Sequence, residues 1–179
     1  AVSGSTIYAG GAFTMIKGQM RNRLAALEAG TGDVTLWNPD ANGAVSSLAV
    51  AGGNVYVGGE FTSAGGAVRN RLAAIASGGS AVSTFDPDLN GPAHSLAIVS
   101  DRLYVGGEFI TVGPTVGALS RNRVAAFDVS DGTLTTWAPN VEGPVYAIGS
   151  ATDRVYVGGS FSRVDGQFAS NFATLAPSH

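Results

Sequence analysis

Four near-copies of a repeat of about 50 residues, short β-forming runs broken by turn residues, and the lack of any sustained 3.6-residue period point one way. Together they predict an all-β fold, a β-propeller built from four-stranded antiparallel blades, with about 3.5–4 blades in the 179 residues. The repeat is plainest in Ile7-Tyr8-Ala9-Gly10-Gly11-Ala12-Phe13. It returns as Val55-Tyr56-Val57-Gly58-Gly59-Glu60-Phe61, as Leu103-Tyr104-Val105-Gly106-Gly107-Glu108-Phe109, and as Val155-Tyr156-Val157-Gly158-Gly159-Ser160-Phe161. A second block, Arg21-Asn22-Arg23-Leu24-Ala25-Ala26, recurs at residues 69–74 and 121–126, and in weaker form as Ser170-Asn171-Phe172-Ala173.

Spacing separates a rigid part from a tolerant one. From Asn22 to Tyr56, Asn70 to Tyr104 and Asn122 to Tyr156 the distance is 34 residues each time. All length variation falls between Gly-Gly-x-Phe and the Asn, where the third repeat carries four extra residues around 113–120 and the fourth carries one. A constant framework with one variable surface loop has that signature. The blades are expected at residues 1–44, 45–92, 93–144 and 145–179 of one domain.

In chain order, the second blade is read as an inner strand over 45–50, the Tyr-Val-Gly-Gly strand over 55–61, the Asn-Arg-Leu-Ala strand over 71–76, and an aromatic strand over 82–86. Runs such as Leu72-Ala73-Ala74-Ile75 are apolar on both faces, which predicts sheets covered on both sides. The paired glycines predict close approach of another chain segment. Trp37, Phe85 and Trp137, each 15 residues after the Asn, predict aromatic packing between blades. The count is about fourteen strands and a stub, since residues 1–4 match only the end of an inner strand and residues 172–175 have no aromatic strand after them. Such open edges predict completion by another copy or by the remainder of a longer chain.

Composition removes several functions. With 45% hydrophobic and 13% charged residues the chain is not disordered. Its apolar runs are too short for a membrane span. A net charge of −3 without a basic patch argues against nucleic acid. No cysteine is present, so disulfides, thiolate metal sites and cysteine nucleophiles are excluded. Eight of the 26 glycines are the four Gly-Gly pairs, so the glycine excess is the imprint of the repeat.

Through Tyr-Val-Gly-Gly-Glu-Phe, Arg-Asn-Arg-Leu-Ala-Ala and Trp-Asn-Pro-Asp-Ala-Asn-Gly, the chain resembles the Gly-Gly-x-Phe propeller repeats of large bacterial surface and secreted proteins, sometimes called delta-60 repeats. Related repeats occur in fungal cortical polarity-marker proteins. The resemblance covers essentially the whole chain. It implies a propeller in an extracellular or cell-surface setting and assigns no chemistry.

Candidate sites are few. Asp86, Asp88 and Asn90, followed by Gly91, place oxygen ligands at alternate positions, as at the start of a calcium loop, and calcium is the one candidate cofactor. Ala97 stands where a closing bidentate acid is needed, so a Pro-Asp-Asn-Gly turn between blades is the competing reading. Arg69, Arg71, Arg121 and Arg123 stand two apart in strand-like runs, which predicts pairs on one face. Such pairs suit an anionic glycan, or salt bridges to Asp or Glu on an adjacent blade, for instance Glu60 and Glu108. Glu60 and Glu108 themselves suggest either a ligand site or the acid/base pair of a glycoside hydrolase. His94 is expected to be packed or hydrogen-bonded. The resulting expectation is a non-catalytic extracellular scaffold for glycan or protein binding or for assembly, without catalytic residues. A self-associating structural subunit and a hydrolase module are the alternatives.

Overall fold

The computed structural model describes residues 1–177, in which strands, bends and turns occur without a helix. The chain divides into two compact units, the first ending at Asp86 and the second starting at Pro87. Each unit carries two copies of one three-stranded antiparallel sheet. In the first unit these are Val2–Ser3, Thr6–Gly10 and Leu24–Glu28, then Val45–Ala51, Asn54–Gly59 and Leu72–Ala76. In the second they are Ala93–Val99, Arg102–Gly107 and Val124–Asp128, then Arg154–Gly159 between Val145–Ala151 and Phe172–Leu175. The middle strand is always the one that carries the tyrosine and at least the first glycine of the pair.

The predicted fourth strand is not formed as a strand. The aromatic segment touches its sheet at a single bridge, Leu27 to Val34, Ile75 to Val82 and Phe127 to Leu134. Beyond the bridge, Thr35, Ser83 and Thr135 donate their N–H to Ala26, Ala74 and Ala126. Their hydroxyls then accept the N–H of Trp37, Phe85 and Trp137 two residues on. This local turn bends the chain off the ladder and aims the aromatic ring back over the sheet. The sequence pattern, β-branched residues before an aromatic, is common to a strand and to this bent segment, so the period alone does not tell them apart.

The rings close on the tyrosines. Tyr8 meets Trp37, Tyr56 meets Phe85 and Tyr104 meets Trp137 edge to face, at centroid separations of 5.1, 5.6 and 5.2 Å. That is the arrangement the ring quadrupoles favour. In the first unit, Tyr8, Leu24 and Trp37 of the first blade pack against Val45, Val55, Val57 and Ile75 of the second. In the second unit, Tyr104, Val124 and Trp137 pack in the same way against Val145, Val155, Val157 and Leu175. Each blade therefore has a tyrosine face and a valine face, and both are apolar, as the two-sided runs predict.

The two glycines of a pair have different duties. A Cβ on Gly10 or Gly106 would lie 2.5 or 2.6 Å from Cγ1 of Val45 or Val145, so the first glycine is the hole for a valine of the next blade. The second glycine faces a β-bulge at the start of the inner strand, where the register slips between Val45 and Ser47, Ala93 and Ser95, and Val145 and Ala147.

The tolerant segment holds a small hairpin in every blade: Met15–Ile16 with Gln19–Met20, Ser63–Ala64 with Ala67–Val68, Thr111–Val112 with Leu119–Ser120, and Arg163–Val164 with Gln167–Phe168. The extra residues of the third repeat lengthen the turn of its hairpin and leave the framework intact. Two-residue strands leave too short an alternation to be seen in a sequence.

Candidate functional site

The recurrent arginines are not pairs on one face of a strand. Arg23, Arg71 and Arg123 precede the third strand and have positive φ, between 64° and 70°. That left-handed step turns the second arginine away from the first and removes the period-2 argument for a shared face. The first arginine of each block clamps the bent aromatic segment. Nη2 of Arg21, Arg69 and Arg121 donates to the carbonyls of Thr35, Ser83 and Thr135 at 2.7–2.8 Å, and Nη1 to the carbonyl of the preceding residue. Arg69 adds an ion pair to Asp86 of its own blade at 3.2 Å. Burial lowers the Arg121 pKa without discharging it. The Arg123 guanidinium donates to the backbone carbonyl of Glu108 in its own blade at 3.0 Å, in place of a salt bridge to an acid of an adjacent blade. Recurrence in the sequence thus reflects a framework device, a guanidinium replacing part of the missing fourth ladder.

The Asx-Pro segments are equally committed. Residues 38–43 lie against the hairpin of the following blade, with a bridge between Ala41 and Ala64 and a bond from Gly65 N–H to the Pro39 carbonyl at 2.7 Å. Asn42 Oδ1 accepts the N–H groups of Thr62 and Ser63. In the second unit Asn90 Oδ1 accepts those of Ile110 and Thr111 at 2.8 and 3.0 Å, and Gly113 bonds the Pro87 carbonyl. Asp40 and Asp88 take φ of 54° and 48°, which aspartate tolerates better than most residues. Of the three calcium candidates, Asp86 is paired with Arg69 and Asn90 caps a hairpin. Among the described residues no group of three His, Cys, Asp or Glu side chains is placed to hold a metal ion. Asn90→Ala is expected to lower unfolding stability by about 1 kcal/mol, because two hairpin N–H groups at an exposed site lose their acceptor. Asn90→Asp, which keeps the oxygen, is expected to retain most of it. Urea denaturation of the two variants checks the pair, and equal losses would sink the capping role.

Glu60 and Glu108 both follow their glycine pair and are exposed. They belong to different units, and neither unit contains a second carboxylate from the predicted pair. Glu108 has a neighbour that linear spacing hides. His94 Nε2 lies 2.9 Å from its Oε1, and the imidazole packs on Tyr146 at 5.3 Å between centroids. His94 is the residue inserted at the bulge of its inner strand, as Ser46 and Tyr146 are in theirs, and bulges re-aim a side chain. The two-residue turn between the strands would by itself set residue 93 opposite residue 108; the bulge moves Ala93 onto Gly107 and so places residue 94 beside residue 108.

A concavity within the first unit lies elsewhere. A pocket of about 610 Å³ opens between the first two blades, bounded by the linking segment 38–42, the Arg-Asn-Arg corner of the first blade and the hairpin of the second. Its polar lining is Asn22, Arg23, Asn38, Asp40, Asn42, Ser63 and Ser80, of which Asn42 is already committed to the hairpin of the second blade. Asp40 Oδ1 accepts the Asn22 N–H at 3.2 Å, Arg23 Nη1 reaches the Ala41 carbonyl at 3.3 Å, and Asn38 N–H bonds Ser80 Oγ at 2.9 Å. The side-chain amides of Asn22 and Asn38 have no hydrogen-bond partner among the described residues. One guanidinium and one carboxylate face the same space, so its net charge is balanced. Nothing short of the folded arrangement brings residues 22, 38, 63 and 80 together.

Comparison with known proteins agrees with the architecture. A family model described as "Domain of unknown function (DUF5122) beta-propeller" matches residues 53–85, the middle and third strands and the aromatic segment of the second blade. No curated protein matches the chain significantly. Among solved structures, the computationally designed Ika4 protein is 14% identical, with a TM-score of 0.60 over 98% of this chain and 87% of Ika4. The computationally designed Ika8 protein is 16% identical, with a TM-score of 0.58 over 94% of this chain, which spans 46% of the Ika8 chain. No helix of the described residues is long and apolar enough to cross a membrane. The chain is an all-β protein of β-propeller fold.

Proposed function

We propose that the chain is a non-catalytic propeller scaffold that binds a hydroxyl-rich, uncharged saccharide in the pocket between its first two blades. The observation that carries this reading is the set of unpartnered amides, Asn22 and Asn38, facing a concavity that also holds Arg23 and Asp40. Amides donate and accept at once, as hydroxyl groups do, and the opposed charges favour a neutral polyol over the anionic glycan expected from arginine pairs. The assignment of the first arginines, the Asx caps and the aromatics to the framework supports a scaffold over an enzyme. The extracellular or cell-surface setting rests on the likeness to the Gly-Gly-x-Phe repeats of bacterial surface proteins.

A glycan array followed by calorimetric titration of the strongest neutral binder tests the proposal. The double variant Asn22→Ala/Asn38→Ala is expected to bind about 10-fold more weakly, since two hydrogen bonds contribute roughly 0.5–1.5 kcal/mol each. Its unfolding midpoint should match the wild type, because both backbone N–H bonds are kept. An array without a saccharide binder, or a double variant that binds as well as the parent, overturns the reading.

A further inference from the structure

The two faces of the blade are not used equally along the chain. Where one blade follows another inside a unit, a tyrosine face is closed by a valine face. Tyr8 and Tyr104 are then 5% and 1% exposed, and the opposing Val55 and Val155 are 0% exposed. The fourth blade presents its tyrosine face uncovered. Tyr156 is 39% and Phe172 58% exposed, and a Cβ on Gly158 would meet no atom nearer than 3.8 Å, where Gly10 and Gly106 are filled by a valine. Among the described residues the ring against Tyr156 is Phe172 of its own sheet, stacked at 19°, in place of the edge-on aromatic of the other three blades. The first blade presents the opposite half. Ile7, the counterpart of Val55 and Val155, is 37% exposed, and Val2 beside it on the paired strand is exposed too.

We propose that the tyrosine face of the fourth blade docks the valine face of the first blade of a second copy of this chain. One chain carries both halves of an interface whose closed form it displays twice, within each unit, so the chemistry of the occupant is given by the molecule itself. The contact is heterologous, tyrosine face to valine face. It leaves a free half at each end of a dimer, so association continues until a ring closes or a filament grows. The Gly158 hole and the Tyr156–Phe172 surface supply an apolar centre of the kind that holds such contacts. The proposal is independent of saccharide binding.

Two single substitutions on exposed positions test it, Ile7→Asp on one face and Phe172→Asp on the other. Sedimentation equilibrium of the wild type is expected to show a mass that rises with concentration. Each variant alone is expected to self-associate at least ten-fold more weakly. Mixed in equal amounts they are expected to form a one-to-one pair that grows no further, since each supplies the face the other has lost. A wild type that stays monomeric at every accessible concentration overturns the proposal. So does a pair of folded variants, checked by circular dichroism, that fails to complement. If either variant fails to fold, Ile7→Ser and Phe172→Ser replace the pair, and the wild-type concentration series decides independently.

Discussion

Gly107→Ala is expected to destabilise the protein by at least about 3 kcal/mol and to lower its melting temperature by roughly 6–12 °C. The cause is steric and falls on backbone. A Cβ at Gly107 would stand 2.1 Å from the Pro92 carbonyl oxygen and 3.1 Å from Ala93 Cα, and neither can move without opening the bulge. That carbonyl also accepts the Glu108 N–H at 2.9 Å, so displacing it breaks a ladder bond at the same point. Ordinary overpacking by one methyl costs about 1–3 kcal/mol because side chains can shift, and here none is available to do so. Gly59 and Gly159 face the carbonyls of Ala44 and Pro144 at 2.1 and 2.0 Å, so the same substitution there should have the same effect. Gly149→Ala is the control. Its Cβ would meet nothing within 4 Å, and alanine already stands in the matching position opposite Tyr56 and Tyr104. It should be neutral or slightly stabilising. Scanning calorimetry of Gly107→Ala and Gly149→Ala reads the contrast. A Gly107→Ala loss below about 1 kcal/mol would refute the carbonyl clash.

What the sequence made legible follows from what repeats in it. Tyr104, Gly106 and Gly107 recur because each has a fixed neighbour in the blade, and fixed neighbours impose fixed residue types. Blade number, strand order and the place of the insertion all derive from that constraint. The arginines recur for the same reason, as framework residues, but their shared face and their partners were not legible, because spacing reports periodicity and not the sign of φ. Arg71 looks like a strand residue until its left-handed backbone is seen. The candidate binding groups were hidden for the converse reason. Asn38 and Ser80 are 42 residues apart and share a wall only because the linking segment folds back on the next hairpin. His94 meets Glu108 through a bulge, the one place where strict alternation predicts the wrong face.

The second large effect is expected at Trp37. Trp37→Ala should cost about 3–5 kcal/mol, the usual range for emptying a buried aromatic site. The ring is 6% exposed and sits between Tyr8 and the core shared by the first two blades, so its loss leaves a cavity that β-sheet backbone on both sides prevents from closing. It also releases the outer segment, because the indole Nε1–H donates to the Ala76 carbonyl of the next blade at 2.9 Å. Trp37→Phe separates the two contributions. Phe85 occupies the matching position in the second blade and keeps its edge-to-face contact with Tyr56, so a phenyl ring fits the geometry. That variant should lose only the indole hydrogen bond and a sliver of area, about 1–2 kcal/mol. Trp137 Nε1 makes the equivalent bond to the Ala176 carbonyl at 2.8 Å, but that ring is more exposed, so Trp137→Ala should cost less than Trp37→Ala. Chemical denaturation followed by far-ultraviolet circular dichroism ranks the three variants. A Trp37→Phe loss as large as that of Trp37→Ala would mean that the hydrogen bond, and not the packed ring, joins the first blade to the second.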